Sequence, residues 1–236
     1  MSAATHEAEV LARFDMLHDR FKDRLDPEDY RLRGVLDYIG PVEGLRILDV
    51  GSGKGRFSRA LQALGAHVIG IDISRGMLNE CRSLDRVRGS ARRLPFRSRS
   101  FDCVLSVEMF EHLPTSTIDA TIREFRRVLV PRGILAIVDK NAGSLNDRRP
   151  WLPNLFVKWL DERRGLWMYP CDGPVRERWF WPGGFRRRIR RWFDDVRVVH
   201  LLSPVESPRW IFRGFPRTRR MILWGARALG GPQHDA

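Results

Sequence analysis

The stretch from Leu45 to Leu61, LRILDVGSGKGRFSRAL, constrains this chain more than any other. Ile47, Leu48 and Val50 form the short apolar run that a buried parallel strand requires. Gly51, Gly53 and Gly55 then turn the backbone, and Phe57, Ala60, Leu61 and Leu64 recur at helical spacing. A strand, a glycine turn and a helix in that order open a doubly wound α/β sheet, whose ligands sit beyond the carboxyl ends of the strands. Glycines let the backbone approach a ligand and take φ angles that other residues resist.

Spacing separates the ligands such a turn can hold. A dinucleotide fingerprint, G-x-G-x-x-G, would put its third glycine at position 56, which is Arg56. A phosphate loop would need a glycine at position 48 and Ser or Thr after Lys54; the residues are Leu48 and Gly55. Asp49 precedes the first glycine by two residues.

With Asp49-x-Gly51-x-Gly53-x-Gly55, the sequence resembles the class I S-adenosylmethionine-dependent methyltransferases, in their small-molecule branch. Further motifs carry the resemblance to about Val138. VRGSARRLPFRSRSFDCVLS, residues 87–106, is similar to the family stretch G-D-A-x-x-L-P-F-x-x-x-S-F-D-x-V. It departs at Ser90, where the family has an acid for the adenine amino group; Ser can still accept but without charge, so adenine recognition is expected to fall to the Ala91 N–H instead. Glu108-Met109-Phe110-Glu111-His112-Leu113-Pro114 is similar to the family segment that faces the methionine end of the cofactor and the acceptor.

The resemblance implies an α/β, doubly wound, mostly parallel seven-stranded sheet with helices on both faces, a Rossmann-like methyltransferase fold. It implies S-adenosyl-L-methionine as cofactor and no metal. Cofactor-binding residues are then expected at Asp49, Gly51, Gly53, Gly55, Asp72, Ile73, Met77, Ser90, Ala91 and Glu108. Asp72 ends a second strand, His67 to Ile71, where a carboxylate can accept from both ribose hydroxyls. Its competing role as a helix cap falls better to Ser74. Ile73 and Met77 suit an adenine face, and Met77 suits the core equally well. Methyl transfer from a sulfonium needs a base only when the acceptor must lose a proton. The candidates, in falling order, are His112, Glu111, Asp139 and His200. Asp102 reads as structural.

Taken in order, residues 7–22 and Tyr30 to Ile39 read as helices, the first with Val10, Phe14, Leu17 and Phe21 on one face. A fourth strand is expected over Cys103 to Val107, a helix from about Ser116 to Leu129 and a fifth strand over Ile134 to Val138. Asp139-Lys140-Asn141 suits either substrate contact or a solvated turn. Phe185, Ile189, Trp192 and Phe193 share one face of a basic helix; Val196 to Leu202 suits a sixth strand, and Met221 to Ala228 either a seventh or a helix. The whole of 1–236 reads as one methyltransferase domain. Its parts are an N-terminal helical cover (1–40), a cofactor core (41–140), a substrate-side insertion (141–182), and the last helix with the final strands (183–236).

Composition adds a second theme. Three widely spaced cysteines form no CxxC pair, which argues against a zinc site or disulfide frame and fits a reducing cytoplasm. The opening MSAATHEAEVLARF lacks a basic stretch followed by an apolar core, so no signal peptide is expected. Residues 148–236 hold 19 Lys and Arg against 8 Asp and Glu, while residues 1–147 hold 23 against 21. All eight tryptophans follow position 150. Arginine with tryptophan fits three partners, in falling order: an anionic membrane surface, an acidic or lipid-linked small molecule, and RNA. The plainer reading makes the tryptophans core and the arginines a solvated rim. The expectation is a cytoplasmic enzyme, peripheral at the inner membrane face, that methylates a small lipid-like or anionic acceptor. The rivals are an RNA methyltransferase, a nicotinamide-dependent oxidoreductase and a non-catalytic basic adaptor.

Overall fold

The computed structural model describes residues 3–26, 28–79, 85–166 and 177–230; Cys81, Trp167 and Cys171 lie outside them. The strands are β1 (Arg46–Val50), β2 (His67–Asp72), β3 (Asp85–Arg88), β4 (Phe101–Val107), β5 (Leu129–Lys140), β6 (Phe193–Leu201) and β7 (Met221–Ala228). The helices are α1 (Ala3–Leu17), α2 (Tyr30–Ile39), α3 (Arg56–Ala63), α4 (Arg75–Asn79), α5 (Thr115–Val128), α6 (Asn154–Arg163), α7 (Pro182–Ile189) and α8 (Trp210–Gly214).

The strands form one sheet in the order β3-β2-β1-β4-β5-β7-β6. All neighbours are parallel except β7, which runs antiparallel to both β5 and β6. The strand order reverses between β1 and β4, and a crevice opens there beyond the carboxyl ends.

Side chains alternate across the sheet with a period of two. Leu48, Val50, Val104, Leu135, Ile222 and Trp224 face the core under α5 and α7. Ile47, Cys103, Leu105, Ala136, Met221 and Leu223 face the core under α2 and α3. Both faces are covered, which is why β7 resolves as a strand: an apolar run with partners on both edges gains two ladders. Gly225 on β7 admits the Tyr38 ring from α2, and a Cβ there would collide with it.

Four boundaries depart from expectation. Helix α1 begins and ends earlier than 7–22. Its last turn is pinned where Asp15 accepts from Ser74 Oγ (2.5 Å) and Gly76 N (2.9 Å), and the chain leaves through a short turn at His18–Arg20. Strand β5 begins at Leu129, where it pairs with Phe101, and Arg132 takes the positive φ that follows Pro131. The helix expected through Phe193 stops at Ile189, and Phe193 opens β6. Phe185 and Ile189 are buried in the core, so the apolar face of this basic helix is unavailable to a membrane. Arg188 and Arg191 both reach Asp119 at 3.3 Å. The end of β5 is no solvated turn: Asp139, Lys140 and Asn141 are buried. Asn141 Nδ2 donates to the carbonyls of Arg217 (2.9 Å) and Arg219 (2.8 Å), and this ties the segment before β7 to the end of β5.

The tryptophans divide. Trp224 is fully buried, with its indole N–H on the Pro182 carbonyl (3.1 Å), and Trp179 is buried, whereas Trp151, Trp159, Trp181 and Trp210 are exposed. No helix among the described residues is long and apolar enough to cross a membrane.

Candidate functional site

The turn after β1 is built by its glycines. Gly51, Gly53 and Gly55 take φ of 76°, 54° and 72°, where a side chain would be strained. Gly51 N and Ser52 N donate to the Ile71 carbonyl (2.8 and 3.1 Å), which ties the turn to β2. Asp72 completes the join: its Oδ2 accepts from Gly53 N (2.8 Å) and its Oδ1 from Ser74 N (2.9 Å). Ser74 caps α4 by accepting from Met77 N at 3.1 Å, the role expected of it. Desolvation raises the Asp72 carboxyl above its ordinary value against the pull of the Ser74 and Gly53 N–H groups.

A cavity of about 340 Å³ lies over the carboxyl ends of β1, β2, β4 and β5. Asp49, Gly51, Gly53, Asp72, Ile73, Met77, Ser90, Ala91, Glu108, Glu111 and His112 all line it. Gly55 does not: its N–H closes the turn onto Ser52 O (2.9 Å) and it starts α3 in the left-handed region. Asp139 and His200 do not line it either. Asp139 accepts from Glu111 N (3.2 Å) and Lys140 N (2.8 Å), so it fixes the turn beneath the site. His200 lies on β6, at the far edge of the sheet from β1. Asp102 is structural as expected, since it binds the backbone and guanidinium of Arg46 near the start of β1.

Sequence reasoning did not single out several wall residues. Helix α1 contributes His6, Glu7, Val10 and Phe14, so the N-terminal cover faces the cavity directly. Phe14 meets the His112 ring edge-on at 4.9 Å, and His6 Nε2 lies 2.9 Å from the His112 carbonyl. Arg31, from α2, pairs with Glu108 and with Asp29. No local motif marks Arg31; it reads as an ordinary residue of an amphipathic helix. Glu108 itself sits at φ 53°, a costly conformation for a residue with a side chain.

At the β4–β5 end a cluster of charges is buried. Lys140 Nζ contacts Glu111 Oε1 (2.8 Å), Glu177 Oε1 and Glu108 Oε1 (3.6 Å). Burial pulls the Lys140 ammonium down, but Glu111, Glu108 and Glu177 together hold it well above the ordinary lysine value. Desolvation would raise Glu177, yet Lys140 brings it to about 2. Glu111 behaves in the opposite way: desolvation raises it despite Lys140. Its Oε1 also lies 3.3 Å from His112 Nε2, while its buried Oε2 has no hydrogen-bond partner. A buried acceptor without a partner costs roughly 1–3 kcal/mol, and Glu111 is one of the residues that line the cavity.

Asp49 lies beneath the glycine turn, accepting from Ser58 Oγ at 2.6 Å. Desolvation is the main reason its carboxyl rises to about 6. The unfolded value is lower, so this group contributes stability only in acid: in full below about pH 4, and lost as pH rises through about 6. Asp49→Asn is therefore expected to leave stability unchanged near pH 4 and to raise it by roughly 1–3 kcal/mol at pH 8. Urea melts at the two pH values measure this; an equal effect at both would count against a buried charge.

Residues 48–137 match the family model described as a methyltransferase domain. The chain is 34% identical over 151 residues to the ubiquinone biosynthesis O-methyltransferase of Xanthomonas oryzae pv. oryzae, covering 58% of this chain and 62% of that protein. It is 35% identical over 124 residues to a biotin biosynthesis bifunctional protein of Cellvibrio japonicus, covering 50% and 24%. A demethylmenaquinone methyltransferase of Tropheryma whipplei is 34% identical over 113 residues, covering 45% and 46%. The chain thus spans less than two thirds of the length of these relatives. Among solved structures, an S-adenosylmethionine-dependent methyltransferase of Mesorhizobium loti shares the fold with a TM-score of 0.63 at 19% identity, covering 85% of this chain and 98% of that one. The matched stretch spans the glycine turn, the Asp72 strand end and the Glu108–Pro114 wall, all around one cavity, so residues 48–137 form a methyltransferase domain of the S-adenosylmethionine-dependent kind.

Proposed function

We propose that this chain transfers a methyl group from S-adenosyl-L-methionine to a hydroxyl of a small acceptor with an apolar body. The observation that carries the proposal is one cavity lined by Asp72 at the end of β2 and by Glu111 and His112 after β4. The donor set fits the cofactor. Each Asp72 oxygen spends one lone pair on a backbone N–H and keeps another for a ribose hydroxyl. Ile73 and Met77 offer apolar faces for a flat base, and Ser90 and Ala91 offer polar backbone beside them. Arg31 and Glu108 present opposite charges to the zwitterionic end.

When bound, the cofactor supplies a methyl on a sulfonium that is already activated for in-line displacement. The protein's share is then alignment and exclusion of water, which accounts for roughly 7–11 kcal/mol of barrier lowering. Val10, Phe14 and Phe21 close the cavity with apolar surface. The Glu111 carboxylate accepts the acceptor's proton, and His112, whose Nε2 faces Glu111 Oε1, orients that carboxylate. Glu111 thus precedes His112 as base, because the imidazole nitrogen is already turned toward the carboxylate. The apolar walls and the two relatives named for quinone methylation support an acceptor of quinol or other lipid-like type.

Titration calorimetry with S-adenosylmethionine and with NAD tests the cofactor, and labelled methyl transfer to phenolic and quinol acceptors tests the reaction. Binding of NAD alone would overturn both. Asp72→Ala is expected to weaken cofactor binding at least about tenfold, because two charge-assisted hydrogen bonds are lost. Asp72→Asn, which keeps one carbonyl for the turn, should fall between. Unchanged affinity in both variants would remove Asp72 from the site.

A further inference from the structure

Helix α6 is inside out. Its polar residues Asn154 and Lys158 are buried, with Asn154 Nδ2 on Ser144 Oγ (3.0 Å) and Leu145 O (2.7 Å) and Lys158 paired with Glu162. Of its apolar residues Leu155, Phe156 and Trp159 are exposed and Val157 and Leu160 half-buried, whereas a helix on a water-facing surface turns its apolar side inward. Trp151, 73% exposed, stands just before α6. It shares a surface hollow with Pro150, Pro208, Trp210 and Ile211, and Trp210 is 68% exposed. Phe215 adds another exposed ring 6.1 Å from Trp210. Arg148, Arg149, Arg163, Arg164, Arg209 and Arg213 are exposed on the same segments, and Arg163 lies 4.4 Å over the Trp159 ring. Two nearby carboxylates are already engaged: Glu162 with Lys158, and Glu206 with Ser203 and the Arg220 N–H.

Topology gives this surface a direction. The segment carrying Trp151 and α6 leaves the carboxyl end of β5, and the segment carrying α8 enters β7 opposite that end, where Lys140 pairs with Met221. Both segments are tied together there, by Asn141 N on Arg220 O (2.7 Å) and Leu145 N on Thr218 O (2.9 Å). The cavity opens along the same edge of the sheet, with Lys140 in its wall.

We infer that the face built by Trp151, α6 and α8 docks on the surface of an anionic bilayer and sets the cavity's edge against it. Indole and phenyl rings settle at headgroup depth, and arginines among them are drawn to anionic lipid. Tryptophans, arginines and an outward apolar stripe on one face match that layer in both chemistry and charge. Docking holds whether or not the cavity turns over an acceptor, so cofactor calorimetry on the same samples separates the two readings.

The test is sedimentation of the whole chain with vesicles of phosphatidylglycerol and phosphatidylcholine, against phosphatidylcholine alone, with tryptophan emission recorded. Expected are association with the anionic vesicles, a blue shift, and weakening by salt. The double variant Trp151→Ser/Trp210→Ser is expected to lower association at least about tenfold at unchanged melting temperature, since both rings are exposed. Arg209→Glu/Arg213→Glu should abolish the preference for anionic lipid. Three outcomes overturn the inference: no association by the unaltered chain, equal association by the tryptophan variant, or a concentration-dependent dimer or single-stranded RNA occupying this face in place of vesicles.

Discussion

Glu111→Gln is expected to slow methyl transfer to a hydroxyl acceptor by about 10²–10⁴-fold, while leaving affinity for S-adenosylmethionine within about twofold. The amide keeps the shape of the side chain but cannot take a proton. Burial holds the Glu111 carboxyl above its ordinary value, so its reactive, unprotonated form accumulates only at a pH above the usual carboxylate range. The rate of the unaltered enzyme should rise with pH through that raised value, and the variant should lose this rising limb. Single-turnover rates across pH, paired with calorimetry, measure both. A variant with an unchanged pH profile would return the role to His112, and one that lost cofactor affinity alone would make Glu111 a binding residue.

Lys140→Met is expected to cost the fold about 3–5 kcal/mol, the largest loss of stability among these substitutions. Lys140 is only 8% exposed, and its ammonium lies among Glu108, Glu111 and Glu177. Methionine fills similar space but removes the ammonium from between Glu111 and Glu177, while Glu108 keeps Arg31. The sign of the pH dependence follows from Glu177. Its folded value of about 2 is below the unfolded one, so its share of stability is present above about pH 4.5 and lost as pH falls toward 2. Without Lys140 that share disappears, and protonation then relieves the cluster. The deficit should therefore be greatest at neutral pH and shrink in acid. Urea midpoints at pH 7 and at about pH 3, inside that window, check this, and Lys140→Met/Glu177→Gln should recover part of the loss at pH 7. An equal deficit at both values would point to lost packing rather than charge.

The two substitutions probe regions of different legibility. Asp49 to Gly55 and Asp72 could be read because one local unit, strand then turn then strand end, holds them together. The glycine φ angles and the Gly53–Asp72 hydrogen bond are the physical content of that spacing. Helix α2 falls at the residues expected, whereas Met221 to Ala228 suited a strand or a helix and its pairing on both edges decides for the strand. The α7–β6 boundary was misplaced because Phe185, Ile189, Trp192 and Phe193 satisfy a helical period, while edge pairing with β7 claims Phe193 for the strand. Periodicity ranks faces but cannot weigh a helix turn against a ladder.

Arg31 and Glu177 lay outside any local pattern, whereas the α1 face of Val10 and Phe14 followed from its helical period. Arg31 meets Glu108 across 77 positions, and Glu177 meets Lys140 across 37. Such pairings depend on where the sheet order sends each strand end, and no short motif encodes that. The exposed stripe of α6 was hidden because it lies within 141–182, a stretch rich in Pro, Trp and Arg that shows no long period. Only the burial of Asn154 and Lys158 reveals which side faces out.

By itself, then, the sequence determined the α/β class, the glycine turn and the carboxylate that ends β2. These rest on backbone conformation and on period-two or helical burial, which neighbouring residues dictate. The tertiary structure alone decided which charges share the buried end of the cavity, which carboxylate oxygen is left without a partner, and which tryptophans face water. Those outcomes depend on desolvation and on charges brought together from distant positions, and both arise only when the sheet closes around them.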